Sequence, residues 1–276
     1  MAPKQRLDLE LVARGLADSR QRAQQLIRAG LVRSGDQILD KPGSDVRPDT
    51  PLQVQQPPRF VSRGGEKLAA ALEAFPLLTA GRVCLDGGIS TGGFSDCLLQ
   101  AGASRIYGVD VGYGQTAWSL RSDARVVLKE RTNLRHLTPD QLYGPDDVWP
   151  DLAVADVSFI SLTLVLPALL ALLRPLSPTE PLDLVLLVKP QFEVGRERVG
   201  KGGVVRDPTA HQQAIERVIE AATALQLTPA GLIGSPITGP AGNHEYLLWL
   251  RSQPQQSGPP LDTEGIRQVV EQTLAG

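Results

Sequence analysis

The chain has 276 residues, 42% apolar and 21% charged, with a net charge of −2. That composition belongs to a globular protein and excludes a polyanion binder that works by overall charge alone. Two cysteines exclude a disulfide framework, and residues 1–20 lack the apolar core of a secretion signal.

Residues 1–57 read as a small α+β domain. Leu7, Leu11 and Val12 recur at helical spacing, and Gly15 suits the end of that helix. Ser19 is placed to cap a second helix whose inner face is Ala23, Leu26 and Ile27, closed by Gly30. Short strand-like pieces follow at Leu31-Val32, Gln37-Ile38-Leu39 and Leu52-Gln53-Val54. Residues 1–60 hold ten Lys/Arg against seven Asp/Glu. This makes the N-terminal domain the candidate RNA-facing part, through Arg6, Arg14, Arg20, Arg22, Arg28 and Arg33, joined by Arg63 further on. The alternative for scattered arginines is a solvated face.

Pro57-Pro58 marks a junction, and residues 58–66 are expected to be an interdomain linker before a helix bearing Leu68, Leu72 and Phe75. Strands and helices then alternate through residues 67–253. Strands are expected at Val83–Leu85, Arg105–Val109, Val126–Leu128, Leu152–Ala155, Leu182–Val188, Leu227–Ile233 and Tyr246–Leu250. That pattern predicts a doubly wound, Rossmann-like α/β domain of seven strands. The apolar run Leu162 to Leu173, interrupted by Pro167, is too short to span a membrane and reads as a core helix. Residues 254–276 form a polar, Pro-rich linker and an amphipathic helix with Ile266, Val269, Val270 and Leu274. No internal repeat is present.

The most informative stretch runs from Val83 to Ser95. An apolar strand ends at Asp86, and Gly87, Gly88, Gly92 and Gly93 follow with Ser90 and Thr91 among them. Glycines permit positive φ and close approach of backbone to a ligand. Neither the P-loop spacing nor the dinucleotide pattern is met, and no lysine is placed to reach a phosphate. A second acid, Asp110, ends the next strand, where a carboxylate can accept hydrogen bonds from both hydroxyls of a ribose. The ligand these features suit is a nucleoside without a phosphate tail, and S-adenosylmethionine fits. The alternative is a glycine-rich turn that binds nothing.

Three further charged residues lie at strand ends. Asp156 ends Leu152–Ala155, Lys189 ends the apolar run Leu184–Val188, and Glu245 precedes the last strand. Desolvation disfavours a lysine's charged form, so Lys189 is a candidate base; the structural alternative is an ion pair with Glu193. Methyl transfer to an alcohol needs an aligned electrophile and removal of the hydroxyl proton, which a lysine beside a second lysine and two carboxylates can supply.

The residues so far resemble the hemolysin A (TlyA-type) rRNA 2′-O-methyltransferases over about residues 5–250. The motifs that carry the resemblance include Gly15-Leu16-Ala17-Asp18-Ser19-Arg20, Val61-Ser62-Arg63-Gly64-Gly65-Glu66-Lys67-Leu68, Val109-Asp110-Val111-Gly112-Tyr113-Gly114-Gln115, Asp156-Val157-Ser158-Phe159-Ile160-Ser161, Lys189-Pro190-Gln191-Phe192-Glu193 and Gly202-Gly203-Val204-Val205-Arg206-Asp207. The resemblance implies a small RNA-binding domain followed by an FtsJ-like, class I methyltransferase domain that uses S-adenosylmethionine on ribosomal RNA in the cytoplasm, with no metal and no membrane partner. It places a Lys-Asp-Lys-Glu tetrad on Lys67, Asp156, Lys189 and Glu245, with Lys189 as base. It places the cofactor on Asp86, Gly87, Gly88, Ser90, Thr91, Gly92, Gly93, Phe94, Asp110, Val111 and Asp156. It also implies a ribose 2′-hydroxyl, of cytidine, as the methyl acceptor in one or both ribosomal subunits; no oligomeric state is implied. The loop departs from the family in reading Asp86-Gly87-Gly88-Ile89-Ser90. Adjacent glycines and a bulky Ile89 lead one to expect a loose loop with weak cofactor affinity in the absence of RNA. A membrane-damaging protein and a non-catalytic RNA-binding factor are the rival readings. The first has no spanning segment or long basic amphipathic helix behind it, and the second leaves the tetrad unexplained.

Overall fold

The computed structural model describes residues 4–56, 58–177, 179–253 and 261–275. Pro57 of the expected junction and residues 254–260 of the expected C-terminal linker lie outside the described residues. The chain divides into two compact units, one up to Pro58 and one from Arg59 onward.

In the first unit, helices α1 (Leu7–Ala13) and α2 (Arg20–Arg28) pack on a core of Leu7, Leu11, Ala23, Leu26, Ile27 and Val32. The Ser19 hydroxyl accepts the Arg22 N–H and caps α2, while Gly15 and Gly30 take positive φ after the two helices. Strand β1 (Gln5–Arg6) pairs antiparallel with β4 (Asp45–Val46). Strands β2 (Val32–Ser34), β3 (Gln37–Ile38) and β5 (Gln53–Val54) form a second small sheet, ordered β3-β2-β5. Asp8 is fully buried and accepts hydrogen bonds from Arg6, Arg20 and Gln24. The Arg6 guanidinium holds the Asp8 carboxyl well below the usual carboxylate range.

The second unit is built on seven strands: β6 (Val83–Gly87), β7 (Arg105–Val109), β8 (Val126–Lys129), β9 (Leu152–Ala155), β10 (Asp183–Val188), β11 (Thr228–Gly234) and β12 (Tyr246–Arg251). Their order is β11-β12-β10-β9-β6-β7-β8, and β12 alone runs against its neighbours. Each expected strand is found with its ends shifted by no more than two residues. Period-two alternation sends one set of side chains to each face. Leu85, Tyr107, Ala153, Leu186 and Leu248 face one core, while Cys84, Ile106, Val154, Leu187 and Trp249 face the other. Helices α3 (Gly64–Ala74) and α4 (Gly93–Gln100) cover the second core. Helices α7 (Leu162–Ala171), α9 (Pro208–Ala224) and α10 (Thr263–Ala275) cover the first. Short helices α5 (Trp118–Arg121), α6 (Pro139–Leu142) and α8 (Pro190–Glu193) complete the unit. Among the described residues no helix is long and apolar enough to cross a membrane.

The strand order reverses between β6 and β9. In such sheets ligands bind in the crevice outside the carboxyl ends of the strands at that point.

The expected linker, residues 58–66, is largely part of this second unit. Phe60 is buried in its core, Val61 N–H donates to Asp96, and α3 already begins at Gly64. The reason is close packing. A Cβ on Gly65 would stand 2.2 Å from Phe60 Cγ, and one on Gly93 would stand 2.7 Å from the Gly65 nitrogen. Glycines therefore let the first turns of α3 and α4 touch, which brings Lys67 to the carboxyl edge of the sheet.

Candidate active site

Sheet register places the charged residues. Asp156 follows β9, and its N–H donates to the Gly87 carbonyl at 3.0 Å. Val188 pairs with Tyr246 across β10 and β12. Lys189 and Glu245, one residue further on, thus stand opposite each other at the sheet edge. Lys67 arrives from α3, and its Nζ donates to Glu245 Oε2 at 2.5 Å. Lys189 Nζ lies 2.7 Å from Asp156 Oδ1 and donates to Ser158 Oγ at 2.8 Å. The Asp156 contact is a charge contact out of hydrogen-bond line, since that oxygen has no aligned donor. The tetrad is therefore two lysine–carboxylate pairs. Lys67, Lys189 and Glu245 are buried, and all four residues line one cleft of about 490 Å³ with Gly88, Thr91, Gly93 and Phe94.

The expected alternative for Lys189, a pair with Glu193, does not form. Glu193 Oε1 accepts the Leu162 N–H at 2.8 Å, and Oε2 accepts the Ser161 hydroxyl at 2.5 Å. A carboxylate is better used at the start of a helix, where N–H groups lack partners, than beside a lysine already occupied by Asp156. Burial pushes the Glu193 carboxyl upward.

The glycine loop is firmly held, contrary to the looseness its two adjacent glycines suggest. The N–H groups of Gly88 and Ile89 both donate to the Val109 carbonyl, and that of Gly92 to Ile89. Gly88 has φ +86°, and a Cβ there would meet the Asp156 carbonyl oxygen at 2.7 Å. Ile89 is buried where Gly108 makes room; a Cβ on Gly108 would lie 2.4 Å from Ile89 Cδ1. The bulk of Ile89 thus anchors the loop.

A second groove of about 360 Å³ adjoins the first and shares Gly88, Ser90, Asp156 and Ser158 with it. Its walls include Asp110, Val111, Gly112, Asn133 and Ile160. Asp110 accepts the Ser90 N–H at 2.8 Å on one oxygen and the Gly112 N–H at 2.6 Å on the other. Each oxygen retains a lone pair for a ligand hydroxyl.

Three of the expected cofactor residues sit behind this surface. Asp86 is fully buried, accepts the Ser95 hydroxyl at 2.6 Å and leaves Oδ1 unpartnered. Burial pushes its carboxyl up to about 7, with the nearby Asp156 and Asp110 adding to the rise. Gly87 is required by packing, because a Cβ would lie 2.7 Å from Leu134 Cδ2. Gly92 takes φ +100° with Leu120 against it. None of the three lines either groove.

Sequence reasoning named neither Ser158 nor Phe159 as a site residue. Phe159 has φ +64° and is 91% exposed, its ring 5.2 Å from that of Phe192. An exposed aromatic residue three positions after a strand-end acid was the available signal.

The arginines divide. Arg14 is turned inward, to Glu10 and to the Pro48 and Thr50 carbonyls, and Arg6 and Arg20 are held on Asp8. Arg22 and Arg28 are exposed on α2, Arg33 is half-buried, and Arg63 lies at the rim of the cleft. Among the described residues no cluster could hold a metal ion.

A seven-stranded sheet with one reversed strand, a glycine loop after β6 and an acid after β7 define a class I methyltransferase fold. Residues 60–252 match the FtsJ-like methyltransferase family, and residues 5–51 match the S4 domain. The chain belongs to the FtsJ-like methyltransferase family. It is 48% identical over 277 residues to the 16S/23S rRNA (cytidine-2′-O)-methyltransferase TlyA of Mycobacterium tuberculosis, covering 100% of this chain and 99% of that one. It is 50% identical over 272 residues to YqxC of Bacillus subtilis, covering 98% and 94%. A solved structure from Streptococcus thermophilus superposes with a TM-score of 0.71 at 39% identity, covering 99% of this chain and 96% of that one.

Proposed function

We propose that this protein transfers a methyl group from S-adenosylmethionine to a ribose 2′-hydroxyl of ribosomal RNA, with a cytidine as the target nucleoside, in the cytoplasm where ribosomes lie. The observation that carries the reading is the pair of lysine–carboxylate contacts at the sheet edge, in a cleft continuous with the groove beside Asp110.

The second groove fits the cofactor. Asp110 has lone pairs for ribose hydroxyls, Val111 and Ile160 offer apolar walls to a base, and the carboxylates of Asp110 and Asp156 lining the groove suit a sulfonium. When bound, S-adenosylmethionine supplies an electrophilic methyl carbon. Lys189 would take the proton of the acceptor hydroxyl as the methyl carbon exchanged its bond to sulfur for one to that oxygen, with S-adenosylhomocysteine as leaving group, and would later release the proton to solvent. Asp156 holds Lys189 at the cleft, and Glu245 holds Lys67 where its ammonium steadies charge developing on the ribose oxygen. Phe159 offers a stacking face to the target base. Arg22, Arg28, Arg33 and Arg63 contact RNA phosphates, while Arg6, Arg14 and Arg20 shape the N-terminal unit.

The test is transfer of a radiolabelled methyl group to separated, unmodified small and large ribosomal subunits. Label in either RNA supports the reading and names the subunit. No label in either, with folded protein, favours a non-catalytic RNA-binding factor.

A further inference from the structure

Lys189 leaves the apolar strand β10 and enters the cleft nearly dry. The charged groups around it come from each neighbouring element. Asp156 faces it from the end of β9. Glu245 stands opposite, just before β12, and is taken up by Lys67 of α3. On its own side, the Phe192 ring of α8 lies 5.9 Å from Nζ, and Glu193 is turned away to the start of α7. None of these gives Lys189 an aligned hydrogen bond. Ser158 does, at 2.8 Å.

We propose that Ser158 is a positioning residue that aims the ε-amine of Lys189; this rests on Lys189 being the base. A charge contact attracts without fixing direction, whereas a hydrogen bond weakens steeply when bent. A neutral amine has two N–H bonds and one lone pair. Ser158 holds one N–H in line, and Asp156 draws the second. The lone pair then takes the remaining tetrahedral direction, which is where an incoming hydroxyl must present its proton. Without Ser158, the N–H and lone-pair positions exchange freely about the terminal C–N bond.

The loop that carries Ser158 is fixed at both ends. Asp156 N–H bonds to the Gly87 carbonyl, and Glu193 clasps Ser161 and Leu162. Between them, the positive φ of Phe159 turns the chain. Ser158 is itself exposed and lines the cleft and the adjoining groove, so its replacement removes nothing from the buried cores.

The experiment compares wild type, Ser158→Ala and Ser158→Thr in the full chain, with labelled S-adenosylmethionine and unmodified ribosomal subunits, from acid to alkaline pH. Ser158→Ala lowers kcat by about 10-fold to 100-fold, while KM for both substrates stays within about twofold of wild type. An acceptor that favours the ammonium is lost, so the acid limb of the kcat profile moves to lower pH. Ser158→Thr keeps the hydroxyl and restores both rate and profile. An unchanged kcat and profile in Ser158→Ala overturns the proposal. So does an equal defect in both variants with an unmoved acid limb. Lys189→Ala, measured alongside, separates the two levels: retained turnover there removes the base assignment, whereas an inactive Lys189→Ala beside a normal Ser158→Ala removes only the role of Ser158.

Discussion

Asp86 is a carboxyl group enclosed beneath the glycine loop, with one oxygen on Ser95 and the other without a partner. Burial lifts its pKa from 3.8 to about 7. The sign of its effect follows. Between about pH 4 and about pH 7 the folded protein keeps a proton that the unfolded chain has lost, so this group's contribution to stability declines as pH rises through that window. Asp86→Asn keeps the acceptor for Ser95 and removes the titration. The variant's urea midpoint therefore falls less than that of wild type between these pH values; parallel curves would show that Asp86 is not the group responsible. The sequence marked Asp86 as a ligand residue because it ends a strand before glycines. It did not show that the residue lies behind the loop, since that depends on the Ser95 hydroxyl arriving from α4. Asp110, Asp156, Lys189 and Glu245 were legible for a simpler reason: a charge flanking an apolar strand has only the sheet edge to occupy.

At the level of elements, the loop between β6 and α4 and the segment after β9 are built against each other. Gly88 is the contact point, at φ +86° and with no space for a Cβ beside the Asp156 carbonyl. Both partners are backbone, so neither yields cheaply. Gly88→Ala costs about 1–3 kcal/mol in strain and displaces Asp156, so thermal denaturation shows lower stability and methyl transfer falls with it. A variant as stable and active as wild type would contradict this contact. The inner strands β9, β10 and β12 were legible because each is an almost unbroken apolar run, the mark of strands buried on both faces. The pairing of β1 with β4 was not, because two-residue strands have no period to read. The fate of residues 58–66 was hidden for another reason. Pro58 to Glu66 reads as a linker, but Gly65 within it is where α3 closely approaches Phe60 and α4.

Across the whole molecule, the two units divide the work that the proposal assigns. The N-terminal unit keeps Arg6, Arg14 and Arg20 for its own ion pairs and leaves Arg22 and Arg28 exposed on α2. Neutralising both as Arg22→Gln and Arg28→Gln weakens rRNA binding and reduces the slope of log affinity against log salt by about two, without changing cofactor affinity. An unchanged slope would remove α2 from the RNA-binding surface. The second unit carries the chemistry, and the account stands or falls on Lys189. The most direct measurement is methyl transfer to unmodified ribosomal subunits by wild type and Lys189→Ala, with S-adenosylmethionine binding and RNA binding measured on both proteins. The account predicts that wild type labels rRNA on ribose. It predicts that Lys189→Ala binds cofactor and RNA normally but transfers methyl at least about 100-fold more slowly. Turnover by Lys189→Ala at the wild-type rate would contradict it.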